Sequence, residues 1–261
     1  MHHSFYRPIQ DGIDKRVRSV RYVVKPPPAH LSGLVHAYWE LKTQAILPED
    51  FLLLAVPDAC VNLLFNQLDP AIAGVTALRA RHEVLNLGRA FHYVGIELFP
   101  GVWRGSPKEL HHQFVGAPYA GDLPLLATSK AMAALDFTEK QGLMSLLVKR
   151  LIEAKLIAPN PLTANILHNL KRIRSVSDMA RLAGLSPRQL QRNLRQSTGL
   201  APHDLLKVLR MQRSFHESYL DLYADQAHYI HAFRALMGYT PLRFFDRFDV
   251  RSLQDSCETR S

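Results

Sequence analysis

Up to about Pro100 the apolar residues fall in short runs rich in β-branched and aromatic side chains, at Arg18 to Val24, Ala37 to Leu41, Phe51 to Val56, Val61 to Phe65 and His92 to Phe99. Such runs read as strands. Turn-forming clusters separate them, among them Pro26-Pro27-Pro28, Pro57-Asp58 and Phe99-Pro100-Gly101, at spacings suited to an antiparallel sandwich or small barrel. Beyond Ser106 the period becomes helical. Leu143, Leu146, Leu147, Leu151 and Ala154 recur at steps of three and four, which predicts a helix from about Thr138 to Ile157. Its stripe is suited to pack on its own sheet or against the same helix of a second subunit. Ala158-Pro159-Asn160-Pro161 then interrupts the helical pattern, because each proline lacks an amide hydrogen and biases the preceding residue away from helix. From Leu162 to about Phe248 the chain reads as short helices joined by polar or glycine-containing turns. The pattern therefore predicts an α+β protein: a β-barrel or sandwich domain with flanking helices over 1–157, a linker at 158–165, an all-α domain at 166–250 and a tail at 251–261.

Composition narrows the class without naming it. Of the 261 residues, 47% are hydrophobic and 21% charged, the balance of a folded, water-soluble protein. Met1 to Arg16 is polar and charged, and no later apolar run approaches membrane length, so the expectation is a cytoplasmic protein with no membrane partner. Cys60 and Cys257 lie too far apart in sequence to read as a zinc motif or a disulfide framework. The net charge of +9 is unevenly spread: Lys171 to Arg213 holds ten Lys or Arg against two acids, Asp178 and Asp204. A basic stretch alone is commonly a solvated face. The motif beneath this one changes that reading.

Ser175 to Ala183 opens a helix whose apolar positions Val176, Met179, Ala180 and Ala183 fall on one face. Gly184-Leu185-Ser186 breaks it, glycine being able to take the positive φ of a tight turn. A second helix follows at once. Ser186 suits the N-cap, Pro187 the first helical position, and Gln189 can complete a capping box. Within this helix Leu190 and Leu194 face inward, while Arg188, Gln191, Arg192 and Arg195 project from another side. Arginine can give two hydrogen bonds to guanine O6 and N7, and glutamine can pair with adenine N6 and N7. Lys171, Arg172, Arg174 and Arg181 are placed to neutralise phosphates. The residues predict a helix-turn-helix that reads double-stranded DNA.

The unit is repeated thirty-nine residues further on, where Ser186, Leu190, Leu194, Arg195, Gly199 and Pro202 recur as Asp225, Tyr229, Phe233, Arg234, Gly238 and Pro241. This resembles the AraC/XylS family of bacterial transcription regulators, whose DNA-binding domain carries two helix-turn-helix units joined by a helix. The resemblance covers about Ile166 to Phe248. It rests on Leu185-Ser-Pro-Arg-Gln-Leu-Gln-Arg-Asn-Leu-Arg, Gly199-Leu-Ala-Pro, Asp225-Gln-Ala-His-Tyr-Ile-His-Ala-Phe-Arg and Gly238-Tyr-Thr-Pro. By that resemblance Arg188, Gln191 and Arg192 occupy the base-reading positions. Pro57-Asp58-Ala-Cys-Val-Asn-Leu-Leu-Phe and Val94-Gly95-Ile-Glu-Leu-Phe-Pro-Gly101 look like the N-terminal domain of some AraC-like regulators, which implies a cupin-like sensor or dimerisation module, a homodimer and room for a small-molecule effector.

The second unit departs from the family. The stretch between Arg210 and Phe233 is short by roughly a dozen residues for this motif, so the helix that should position the second reader is largely missing. Phe215, Tyr219 and Leu222 can still form an apolar face, but Glu217, Asp221 and Asp225 bring acids toward a phosphate-facing surface. Gln226, His231 and Arg234 are the contacts left to this helix, which predicts a weakened or purely structural unit.

In the N-terminal part, no grouping of the kind enzymatic cupins use to hold a metal is evident. His111 and His112 are adjacent and would point to opposite faces of a strand. His36, His82 and His92 read as structural histidines, and Cys60 as a buried thiol. Tyr38, Trp39, Phe65, Tyr93 and Trp103 could line a pocket but more simply pack a core. No catalytic residue, cofactor or metal is expected. Two rival readings stay open: an interaction protein that keeps the fold but has lost DNA binding, and a cupin-type enzyme with an accessory helical domain.

Overall fold

The molecule, a computed structural model, is described over residues 6–112 and 115–250; the tail at 251–261, with Cys257, lies outside the described residues. The strands in chain order are β1 (Ile13–Asp14), β2 (Val20–Lys25), β3 (Val35–Thr43), β4 (Leu52–Ala55), β5 (Val61–Asn66), β6 (Ala73–Thr76), β7 (Glu83–Asn86), β8 (His92–Leu98), β9 (Leu110–His111) and β10 (Phe248–Asp249). The helices are α1 (Leu125–Met132), α2 (Phe137–Glu153), α3 (Pro161–His168), α4 (Val176–Ala183), α5 (Pro187–Thr198), α6 (Pro202–Arg213), α7 (Gln226–Met237) and α8 (Pro241–Arg247). The fold is α+β, strands first and helices after.

Alternation along the strands creates two apolar faces on one sheet. Six strands run in the order β2-β3-β8-β5-β6-β9, antiparallel except for the β6–β9 pair, and the sheet does not close into a barrel. Leu63 pairs with Ile96 and Phe65 with Val94, so these residues share the face turned toward the helices. Tyr38 lies on the same face, its hydroxyl 2.9 Å from Ser145 Oγ of α2. The opposite face carries Leu41, Leu64 and Tyr93, which pack with Leu53 and Leu85 of the separate β4–β7 pair. On that face Trp39 pairs directly with Gly95, and any Cβ at Gly95 would run into the indole. Glycine is what lets the ring lie flat across the neighbouring strand.

Helix α2 begins with a capping box formed by Asp136 and Glu139. Its buried face differs from the expected stripe. Lys140, Met144, Leu147, Val148 and Leu151 are buried, whereas Leu146 is 43% exposed and Ala154 lies past the helix end, also exposed. Lys140 reaches inward to within 3.7 Å of Glu40, which also meets His92 at 2.9 Å and Lys42 at 3.1 Å. Burial works against the Glu40 charge, but hydrogen bonds from His92 and Lys42 outweigh it and hold its pKa at about 2. The buried lysine thus continues, one turn toward the helix start, the face formed by Met144, Leu147, Val148 and Leu151.

The helix expected to run to about Ile157 ends at Glu153, where Lys155 at φ +60° turns the chain, and Pro161 opens α3 inside the stretch expected as a linker; side chains then tie this joint to the sheet. Asn160 caps α3 by accepting from the Leu162 and Thr163 amides, and its amide donates to Gly101 O at 3.0 Å. Thr163 Oγ1 donates to Pro100 O at 2.7 Å. Further along, Gln212 of α6 accepts from the Ile9 amide and donates to Pro57 O. β1 pairs with β10, Arg247 donates to Asp14, and the His82 amide donates to Leu236 O at 2.7 Å. A continuous apolar cluster runs from the sheet into the C-terminal helices. Among the described residues no helix is long and apolar enough to cross a membrane.

Candidate nucleic-acid interface

The first helical pair is built as its residues require. Ser175 caps α4 by accepting from the Asp178 amide, and Met179 and Ala180 are buried, with Val176 and Ala183 half-buried. Gly184 sits at φ +65° and ends the helix in the left-handed conformation, after which the Leu185 amide closes on Ala180 O at 3.0 Å. Two residues later Ser186 and Gln189 form a full capping box with Pro187 at the first turn of α5. Leu190 and Leu194 are fully buried. Arg188, Gln191, Arg192 and Arg195 are exposed, and among the described residues no hydrogen bond or ion pair occupies their side chains. Four long donors thus stand on a helix fixed at both ends.

Partners thin the basic stretch elsewhere. Arg181 is paired with Asp178, Lys207 lies 3.8 Å from Asp204, and Arg213 is held by Glu217 and by Leu170 O. Arg210 donates to Arg174 O and stacks over Tyr223 with its guanidinium carbon 5.9 Å from the ring centre. Lys171, Arg172 and Arg174 remain exposed on the turn between α3 and α4. Arg195 sits at the far end of α5, in a groove also lined by Arg104, His112 and Asn193. Its position sets it apart from the other three donors, which lie toward the start of the helix.

The second unit is made differently. Between α6 and α7 the chain forms a single turn of tight helix at Tyr219–Asp221 where the first unit has the eight-residue α4. Aromatic stacking replaces it: Tyr219 and Tyr229 lie parallel at 4.8 Å, and Phe215 packs on Phe233 and Phe244 at 5.8 Å. Asp225 caps α7, and Gly238 at φ +78° closes it. His231 and Arg234 are exposed. The end of this helix rests on the N-terminal half, where His82 would collide with any side chain at position 238.

In the N-terminal half a cavity lies between the sheet and the β4–β7 pair, lined by Tyr22, Trp39, Tyr93, Asp11, Asp58 and Arg79 among others. Of the aromatic residues expected to line a pocket, Trp39 and Tyr93 do so; Tyr38 and Phe65 are packed in the core, and Trp103, itself largely buried, borders instead the groove beside Arg104 and Arg195. Asp11 is half-buried at the cavity wall, and desolvation raises its carboxyl to about 6 against the pull of Arg79. His36 Nδ1 lies 3.1 Å from Glu97 Oε2, both groups being buried. One donor atom each from Asp58, Cys60 and Glu97 falls within 4.8 Å of the others. That grouping was not expected from the sequence, where Cys60 and Glu97 are far apart; the pairing of Val61 with Leu98 at the end of β5 and β8 is what joins them.

Residues 24–114, from the end of β2 through β9, match a family model described as a domain of unknown function, DUF6597. The chain therefore carries a DUF6597 domain in its N-terminal half. No curated protein and no solved structure matches it.

Proposed function

We propose that the chain is a DNA-binding transcription regulator of the AraC/XylS type, which inserts α5 into the major groove with Arg188, Gln191 and Arg192 toward base edges. The observation that carries this reading is the exposed, unpaired set of donors on a helix fixed by a capping box and by a tight turn from α4. Such donors match the acceptor pattern of guanine and adenine. Lys171, Arg172 and Arg174 supply sequence-independent contacts to phosphate, with Arg181 and Arg195 at the margin. His231 and Arg234 make minor contacts at most, because their helix lacks a positioning partner of helical length. The protein acts as a homodimer on half-sites about 10 base pairs apart or a multiple of that. The cavity beside Trp39 and Tyr93 receives a small-molecule effector.

The test is a binding assay on fragments selected from random DNA, at several salt concentrations. Tight, sequence-selective binding is expected, and Arg188→Ala should relax the preference at one base position. Absence of binding even at low salt contradicts the proposal and favours an interaction protein that has kept only the fold.

A further inference from the structure

The junction of β5 and β8 gathers more buried acid than its surroundings balance. Glu97 is 1% exposed, and both donors that reach it, His36 Nδ1 and Gln10 Nε2, meet the same oxygen, Oε2, at 3.1 and 3.2 Å. Its other oxygen, Oε1, receives no hydrogen bond from any N–H or O–H among the described residues. The Cys60 thiol beside it is a weak donor at best. Asp58 reaches the same place from the turn before β5, where Ala59 at φ +57° reverses the chain and the Asp58 Oδ1 accepts from the Cys60 amide. A buried carboxylate oxygen without a donor is costly unless a cation or a donor meets it. The arginine at the cavity wall, Arg79, is paired with Glu83 at 3.1 Å and also attracts Asp58 and Asp11, but it makes no hydrogen bond to Glu97.

We propose that Asp58, Cys60 and Glu97 bind one divalent ion of the zinc type. A thiolate with two carboxylates is a borderline donor set that suits zinc and excludes magnesium and calcium, which take oxygen ligands alone. Bonds of about 2.0–2.3 Å place tetrahedral ligands roughly 3.5 Å apart, so donors now within 4.8 Å of one another close on the ion by small side-chain rotations. Binding expels the Cys60 proton to water and leaves the sulfur as thiolate. His36 does not bind the ion; it positions Glu97 through Oε2, the usual arrangement in which a ligating carboxylate is itself hydrogen-bonded. Of the three ligands, Asp58 also lines the cavity. Because Pro57, next to Asp58, accepts from Gln212 of α6, an ion here fixes the loop on which the C-terminal helices rest.

The experiment is titration of the full chain, stripped with a chelator, with Co2+ and then Zn2+. One equivalent of Co2+ should bind per chain and produce a thiolate-to-cobalt charge-transfer band that Zn2+ removes. Cys60→Ser should abolish the band and Cys257→Ser should keep it. His36→Gln should weaken binding by about 10- to 100-fold, and Glu97→Gln by more. Circular dichroism checks that each variant folds. Should Cys60→Ser not fold, the wild-type band and its weakening in His36→Gln and Glu97→Gln decide the matter. Failure to take up a stoichiometric ion, uptake without the thiolate band, or a band that survives in Cys60→Ser and vanishes in Cys257→Ser each overturns the proposal.

Discussion

Helices α5 and α7 begin with a side-chain cap, bury two large apolar residues one turn apart and end at a left-handed glycine, Gly199 in one and Gly238 in the other. What differs is the side each leaves open. In α5 the outward positions carry Arg188, Gln191 and Arg192 and are exposed; the matching stretch of α7 carries Ala227, Ile230 and His231. The first helix is positioned by a helix, the second by stacked rings and by the N-terminal half, through His82, Asp14 and the β1–β10 pair. One repeated frame has been given two tasks: the first unit presents donors, the second holds the two halves together.

The largest effect that sharpens this contrast is on stability. Phe233 is fully buried among Phe215, Tyr229 and Phe244, so Phe233→Ala should cost about 3–5 kcal/mol, measured by urea unfolding. A loss near zero would mean that the second unit is not structural. Next comes DNA binding, in which Arg192→Ala should lose about 1–3 kcal/mol of affinity for a selected site and discriminate bases less well. Loss that is equal on all sequences would place Arg192 on phosphate instead. Ser186→Ala should remove about 1 kcal/mol by leaving helix-start amides unsatisfied, visible as a lower melting temperature.

The smallest effect concerns the clasp under the second unit. Arg16, and then Arg247, hydrogen-bond Asp14 and hold its carboxyl well below the usual carboxylate range. A folded-state pKa that is depressed stabilises above the unfolded value, near 4, and the benefit is lost as pH falls through and below it. Wild type should therefore melt above Asp14→Asn near neutrality, and the difference should shrink on acidification. A gap that widens in acid would assign the clasp to other groups.

How much of this was legible from residues alone depends on distance along the chain. The first helix-turn-helix is local: Ser186, Pro187, Gln189 and the Leu190/Leu194 pair lie within nine residues, and cap and core follow from their order. The missing positioning helix was legible as a deficit of length, but not the rings that replace it. Strands β5 and β8 were legible through alternation, whereas β6, with Gly74 at its centre, and β7, with two polar ends, offer little pattern. In α2 the pattern offered two overlapping apolar stripes, Leu143/Leu146 and Met144/Val148, both sharing Leu147 and Leu151; the burial of Lys140 beside Glu40, a partner in a distant strand, was not legible. The Asp58, Cys60 and Glu97 grouping was invisible for the same reason, since strand register creates it. A joint near 158–161 was readable from its prolines, but not that α2 stops earlier, at Glu153, or that Pro161 begins α3; nor could spacing reveal that Asn160 and Thr163 reach back to Gly101 and Pro100.

The most direct measurement compares the two outward faces in one assay: affinity for a selected DNA site, at fixed salt, of Arg188→Ala/Arg192→Ala against His231→Ala/Arg234→Ala. The account predicts a loss of several kcal/mol or total loss for the first pair and a change within about 0.5 kcal/mol for the second. Equal losses, or the larger loss for the α7 pair, would contradict it.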